Sequence, residues 1–190
     1  MMRVFWAIDL NQQVRSALRE FQNRLRNYLP PIGWVRPESL HLTVKFLGEV
    51  DEEQLASIQR AVENDIKDFP SFSLQIDNVG GFPNMNQPRV LWAGVSGQIA
   101  DLQRLVSQVE EALIPLGFPA ESKPFRGHLT LARIKQGSRE VGRVLARSQA
   151  LDQHTDFGVL PVHQLCLFRS ELKPTGAVYH RLAEIPLRES

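Results

Sequence analysis

The sequence has little cysteine, no long apolar run and almost no net charge. Each of these absences excludes a class of protein or of site. Among its 190 residues Cys166 is the single cysteine, so an intrachain disulfide and a cysteine-based zinc site are excluded. No segment approaches the ~18 consecutive apolar residues that span a membrane. The formal net charge is +1, whereas proteins that coat nucleic acid are strongly basic. We therefore expect a cytoplasmic protein without membrane association, in which any binding of an anion is local.

Two glycine patterns that bind nucleotide phosphates are also missing. The first strand is not followed by Gly-x-Gly-x-x-Gly, and there is no Gly-Lys-Ser/Thr loop, which argues against a doubly wound fold. Instead, strand patterns alternate with amphipathic helices predicted over 11–28, 51–67, 99–113 and 138–147. Strands are predicted at 2–9, 34–35, 40–47, 72–78, 89–95, 127–134, 152–159, 162–170 and 178–185, with a Gly-rich loop at 80–84. This order favours an α/β or α+β fold with a mixed or antiparallel sheet, in one domain over residues 1–190.

Two nearly identical tetrapeptides are the most informative feature that is present. His41-Leu42-Thr43-Val44 and His128-Leu129-Thr130-Leu131 lie about half a chain apart, each within a predicted strand. Side chains alternate along a strand, so each histidine shares a face with its threonine and the aliphatic residues form the other face. The chain therefore repeats one polar arrangement, an imidazole beside a hydroxyl.

This arrangement suits acid–base chemistry on a bound phosphate. Hydrolysis of a cyclic phosphodiester needs a base to activate water and an acid for the leaving oxygen, and two imidazoles supply both. The threonine hydroxyls and a cation would stabilise the phosphoryl oxygens. Lys45 has the parity of His41 and Thr43 and is expected on their face. Arg133 has the opposite parity to His128, so it reaches the site only through a bulge, a twist or the strand end. Solvated surface residues are the competing interpretation for both cations.

These motifs resemble the paired His-x-Thr-x motifs of the 2H phosphoesterases, and most closely those of the RNA 2′,3′-cyclic phosphodiesterases, also called 2′-5′ RNA ligases. The similarity extends over most of the chain. It includes residues 3–8, the Gly81-Phe82-Pro83 segment, residues 88–92 and Leu167-Phe168-Arg169-Ser170.

The resemblance implies two similar α/β lobes, of mixed or antiparallel sheet with outer helices, around a central cleft, with one motif from each lobe. It implies hydrolysis of a 2′,3′-cyclic phosphate at an RNA end to a 2′-phosphomonoester, without a metal or other cofactor. By position, His41 matches the proton donor and His128 the proton acceptor, and Thr43 and Thr130 match the phosphate-binding hydroxyls. The family is also associated with reversible 2′-5′ joining of RNA ends.

One position departs from the family pattern, in which proline commonly precedes the second histidine. Here the residue is Gly127, and glycine loosens the start of a strand, so the placement of His128 depends on the folded structure. Arg126 adds a positive charge beside it. Four aromatic residues, Phe46, Phe82, Trp34 and Trp92, could stack on an RNA base. Core packing is the favoured interpretation for them, and Phe82, in the predicted Gly-rich loop, is the best exception.

Three alternatives remain open. The substrate is expected to be an RNA with a cyclic phosphate end, tRNA-like fragments included, and no protein partner is implied. The same fold could instead bind an RNA end or nucleotide without catalysis, although both motifs are complete here. A phosphodiesterase for small cyclic nucleotides is a third interpretation. The five histidines show no metal-binding spacing such as His-Glu-x-x-His, so no metal site is expected.

Overall fold

Strands and helices alternate along the computed structural model, which describes residues 1–149, 151 and 155–190. Its strands are β1 (Met2–Asp9), β2 (Gly33–Trp34), β3 (His41–Val50), β4 (Phe72–Phe82), β5 (Val90–Gly97), β6 (His128–Arg133), β7 (Asp156–Val162), β8 (Gln164–Lys173) and β9 (Gly176–Pro186). Its α-helices are α1 (Gln12–Arg26), α2 (Leu55–Ile66), α3 (Ile99–Leu113) and α4 (Ser138–Ser148). Short 3₁₀ helices occupy Pro37–Ser39, Glu52–Gln54 and Ile114–Leu116.

The strands form two antiparallel sheets, which confirms the predicted fold class. The first sheet has the order β3-β1-β8-β9 and the second has the order β2-β6-β5-β4-β7. Each sheet carries one histidine motif, on β3 and on β6. The two motif strands belong to different sheets, yet their Cα atoms approach within 8 Å. We call the space between the two motif strands the cleft.

The helices form where the apolar spacing predicts them. Helix α1 begins at Asn11, whose side chain accepts a hydrogen bond from the Val14 amide at 3.0 Å, as an N-cap residue does. Its predicted apolar stripe is buried, and so is the stripe of α3. One continuous core includes residues of both sheets and of all four helices. The two sheets are therefore held together by shared packing, since burial of apolar surface is the main stabilising term.

Both motif strands contain a β-bulge at the same place, which the sequence did not reveal. Along β3, Ala7 of β1 pairs with Thr43 and Trp6 pairs with Lys45, so Val44 has no partner. Along β6, Leu131 is left out in the same way. A bulge inserts one extra residue and reverses the faces of the residues that directly follow it. The fourth residue after each histidine therefore points into the core, and the fifth points out of it.

The predicted Gly-rich loop at 80–84 is wrong in its first part, because Gly80, Gly81 and Phe82 continue β4. These glycines mark close packing inside a strand. A Cβ at Gly80 would overlap the indole of Trp92 on the neighbouring strand. Glycine is used here because it admits a large neighbour. The strand predicted at 152–159 lies partly outside the described residues, and the observed β7 begins at Asp156.

Candidate active site

His41 is held in one orientation by its own backbone. Its Nδ1 lies 2.8 Å from the carbonyl oxygen of Ser39, and its Nε2 lies 2.9 Å from the Thr43 hydroxyl. A carbonyl oxygen only accepts, so Nδ1 carries a hydrogen and donates it. In the neutral ring the lone pair is then on Nε2, beside Thr43. The histidine and threonine of this motif share a face, as alternation predicts.

His128 is held in the same way. Its Nδ1 donates to the carbonyl oxygen of Arg126 at 2.7 Å, again two residues before the histidine. Thr130 lies on the same face, half-buried, opposite Trp92 of β5. The backbone at Gly127 stays outside the left-handed region, and a Cβ there would lie 3.2 Å from a methyl group of Leu102.

The two histidines differ in their surroundings. The ring of His41 contacts that of Phe5, with centroids 4.7 Å apart, and that of Tyr179, at 5.0 Å. Burial among these rings lowers the pKa of His41, while the Ser39 carbonyl opposes that shift. His128 makes a perpendicular contact with one ring, that of Phe82, with centroids 5.1 Å apart. Phe82 is therefore beside a motif histidine, although at the end of a strand.

A half-buried arginine fixes the turn that leads into His41. Arg15 of α1 donates to the carbonyl oxygen of Pro37 at 2.6 Å and to that of Leu40 at 3.3 Å. Its second nitrogen lies 2.6 Å from an Asp9 carboxylate oxygen. These bonds surround Ser39, whose carbonyl orients His41. The role of Arg15 was not predicted, because it lies in a helix whose polar residues carry no motif.

The bulge in β6 brings Arg133 to the cleft side, which is one of the three routes that the sequence allowed. The carbonyl of the bulged residue, Leu131, accepts hydrogen bonds from other elements. Gln22 of α1, which is 1% exposed, donates to it at 3.1 Å and to the carbonyl of Val35 at 2.8 Å. The Val35 amide also donates to Leu131 at 2.9 Å. Arg133 is exposed and lines a cavity together with Ser39 and Tyr179. Burial raises the pKa of Tyr179, and the charge of Arg133 opposes that shift.

The expectation that Lys45 shares a face with His41 and Thr43 is wrong. The bulge at Val44 turns it inward, where 3% of its side chain is exposed. Its ammonium lies 3.0 Å from a Glu110 carboxylate oxygen and 2.7 Å from the carbonyl oxygen of Pro119. These acceptors already bind the Lys45 ammonium, so it is not available to contact a substrate phosphate. Phe46, 42% exposed, takes the expected place of Lys45.

A cavity of about 670 Å³ opens beside the motifs and contains the remaining predicted contacts. Phe82, Arg126 and His128 line one side of it, and Thr43 and Phe46 line the other. Lys45 also lines this cavity, together with Glu110, the carboxylate that its ammonium contacts. Residues from both motif strands thus border one space of the size that ligands occupy.

Neither a metal cluster nor a membrane helix is found in the described ranges. No group of three or more His, Cys, Asp or Glu side chains there could hold a metal ion. No helix there combines the length and apolar character of a membrane span. Cys166 is buried, and burial raises the pKa of its thiol to about 11.

Comparison with known proteins places the chain in a family. Residues 8–92 and 94–179 match the family described as LigT like Phosphoesterase, within the 2H superfamily, and the chain belongs to it. It is 38% identical to an RNA 2′,3′-cyclic phosphodiesterase of Thermus thermophilus, covering 98% of this chain and 91% of the relative. A protein of that name from Archaeoglobus fulgidus is 35% identical, over 95% of this chain and 98% of the relative.

Solved structures share the fold. A crystal structure of a Thermus thermophilus protein superimposes with a TM-score of 0.81 at 32% identity, covering 99% of both chains. Escherichia coli LigT in its apo form gives a TM-score of 0.75 at 23% identity, over 98% of this chain and 97% of that one. The two-sheet fold is therefore that of the LigT-like phosphoesterases.

Proposed function

We propose that this protein hydrolyses 2′,3′-cyclic phosphates at RNA ends to 2′-phosphomonoesters. One observation carries the proposal: each motif histidine donates its Nδ1 hydrogen to the carbonyl oxygen two residues before it. That bond fixes the tautomer and leaves Nε2 as the atom that exchanges a proton. Two histidines prepared alike, on strands of opposite sheets, suit a reaction that needs one acid and one base. The names of the relatives support the substrate.

The proton transfers follow from these positions. A water oxygen attacks the phosphorus and its proton passes to Nε2 of neutral His128. The bond between phosphorus and the 3′ oxygen breaks, and that oxygen takes a proton from Nε2 of protonated His41. The product carries a 2′-phosphate and a 3′-hydroxyl. Proton transfers of this kind contribute about 10²–10⁴ in rate each.

Hydroxyl and guanidinium groups would stabilise the developing negative charge. Thr43 and Thr130 lie on the faces of their histidines, and Arg133 is exposed on the cleft side of β6. Donors that are already oriented towards the non-bridging oxygens lower the barrier because they need no reorganisation. The acid, the base and the charge stabilisation are all supplied by side chains, so we expect the reaction to need no metal.

The same chemistry would join RNA ends. If a 5′-hydroxyl of a second RNA replaces water as the nucleophile, the cyclic phosphate opens to a 2′-5′ linkage and a 3′-hydroxyl. The 5′ oxygen would lose its proton to His128. We include ligation in the proposal as this second use of the site, favoured when RNA ends are held at high local concentration.

The test is hydrolysis of an oligonucleotide that ends in a 2′,3′-cyclic phosphate, with EDTA present. We expect His41→Ala and His128→Ala each to lower kcat/KM by about 10²–10⁴. His163→Ala is the matched control, since His163 is exposed on the loop before β8, and it should hydrolyse at the wild-type rate. Wild-type rates in both motif variants would rule out the mechanism. A wild-type protein that binds the oligonucleotide without cleaving it would instead be a binding module.

A further inference from the structure

A second cavity, of about 830 Å³, adjoins the site on the side away from Phe82. It begins at Ser39 and Tyr179, beside His41, and extends along the hairpin that joins β8 to β9. We call it the hairpin groove. Its lining includes Trp34 and the cations Arg36, Arg133 and Lys135. It therefore adjoins the turn that orients His41, and of the residues assigned to the reaction only Arg133 lines it.

The hairpin groove and the cavity beside Phe82 differ in charge. None of the described residues that line the hairpin groove is acidic, while its three cations are exposed. The cavity beside Phe82 contains Lys123 and Arg126, but also Glu110 and Glu121. A phosphodiester chain carries one negative charge per nucleotide and releases counterions where cations neutralise it. The cations of the hairpin groove thus suit a negatively charged phosphodiester chain. The aromatic rings of Phe46 and Phe82 suit a flat base in the other cavity.

The walls of the hairpin groove are fixed to the turn that orients His41. Arg36 donates to the Thr175 carbonyl at 3.0 Å, and the Ser39 hydroxyl lies 3.4 Å from the Ala177 carbonyl oxygen. The Arg36 guanidinium has further donors beyond that single bond. Trp34 pairs with Ala132 of the motif strand β6, and its ring is half-buried in the wall. An aromatic ring among cations is the combination with which proteins hold single-stranded nucleic acid.

We propose that the hairpin groove binds the nucleotides that immediately precede the cyclic phosphate end, as a single strand, and so makes the enzyme prefer oligonucleotides to cyclic mononucleotides. This inference deepens the proposed function and rests on it. The terminal base lies in the cavity of Phe46 and Phe82, and the preceding phosphates lie against Arg36 and Lys135. Arg133 is shared between the reacting phosphate and the groove.

The experiment compares two substrates at several salt concentrations, a 2′,3′-cyclic mononucleotide and a single-stranded oligonucleotide with a cyclic end. For the wild type we expect a kcat/KM about tenfold higher on the oligonucleotide, falling with salt. The double variant Arg36→Gln/Lys135→Gln should lose that advantage and change mononucleotide hydrolysis little. Because two phosphate contacts are removed, the slope of log kcat/KM against log salt should become shallower by about 1.4.

The matched control removes the same two charges elsewhere. Arg60→Gln/Lys67→Gln alters exposed cations on and just after α2 and should leave both substrates and the salt slope unchanged. If the wild type shows equal kcat/KM and equal salt slope on the two substrates, RNA binding in the hairpin groove is ruled out, but phosphodiesterase activity is not. The same conclusion follows from an oligonucleotide-selective loss in Lys123→Gln/Arg126→Gln instead, or from an equal loss on both substrates in the groove variant. A wild type that hydrolyses neither substrate would contradict the proposed function itself.

Discussion

Strands β3 and β6 repeat the same backbone and differ in what lies around it. Each has a histidine that donates through Nδ1 to the carbonyl two residues earlier, a threonine on the same face and a bulge at the next residue. Beyond the bulge the two strands diverge. Lys45 and Phe46 of β3 stand where β6 has Ala132 and Arg133. Backbone geometry alone therefore sets up two equivalent imidazoles, and their side-chain neighbours make them different.

The imidazole rings of the two motif histidines also differ in their packing. His41 is covered by Phe5 and Tyr179 and its pKa is lowered by burial, whereas His128 contacts Phe82. The cation at the fifth position after the histidine belongs to β6 only. In the proposed mechanism His41 acts in its protonated form, and a lowered pKa makes that form scarcer near neutral pH but a stronger proton donor. Its role as the acid therefore rests on its position in the first motif and not on a higher affinity for the proton.

The largest difference should come from removing the two threonine hydroxyls. We expect Thr130→Val to lower kcat/KM by about 10², the loss of one charge-stabilising donor, and Thr43→Val to lower it by up to about 10³. The larger loss follows because Thr43 also contacts Nε2 of His41 at 2.9 Å. Steady-state kinetics on a cyclic-phosphate oligonucleotide measure both, with Thr155→Val, a residue not found in either cavity, as the control. Equal losses would show that the Thr43 contact adds nothing.

The residue after the β3 bulge, Lys45, should differ from its counterpart in β6 by its contribution to the free energy of unfolding. Lys45→Met leaves Glu110, 16% exposed, without its buried partner, and we expect it to lower the free energy of unfolding by about 3 kcal/mol. Chemical denaturation measures this loss. Adding Glu110→Gln should restore part of it, because the amide oxygen can still accept from the Glu121 amide, now 2.9 Å from that carboxylate. A Lys45→Met protein as stable as wild type would show that the ion pair does not hold this side of the first sheet.

The smallest expected effect is a shift in pH dependence. Tyr179→Ala uncovers His41, so the desolvation that lowers its pKa weakens and that pKa should rise. If one histidine must be protonated and the other neutral, kcat/KM follows a bell-shaped pH profile. The protonated fraction of His41 would then persist to higher pH, and the optimum of that profile should move upwards. NMR titration of the imidazole measures the pKa directly. An unchanged or lower pKa would mean that burial by Tyr179 is not what distinguishes His41.

The elements that depend on local spacing could be predicted from the sequence. The stripe of Val14, Leu18, Phe21 and Leu25 indicated α1, and the range 99–113 predicted for α3 matches the structure. The shared face of each histidine and threonine followed from alternation alone. The resemblance to the 2H phosphoesterases, carried by the paired motifs, is confirmed by the family comparison.

The bulges could not be predicted, and the errors follow from them. A bulge depends on pairing with a distant strand, and at Leu131 also on Gln22, which lies more than a hundred residues away. Parity counted along a regular strand therefore misplaced Lys45 and left the route of Arg133 open. Gly80 was assigned to a loop for a similar reason, since the indole that needs its missing side chain comes from Trp92 on another strand.

The first sheet joins early and late segments of the chain, because β1 pairs with β3 on one side and with β8 on the other, and β8 pairs with β9. On a ribosome, residues 33–97 and β6 and β7 emerge before β8, so the second sheet can complete its strands while the first still lacks two of four. His41 then lacks its contact with Tyr179, while Phe5 on β1 is already present. The two histidines proposed as acid and base thus depend on different parts of the chain, and His41 acquires its full environment only when the final hairpin docks.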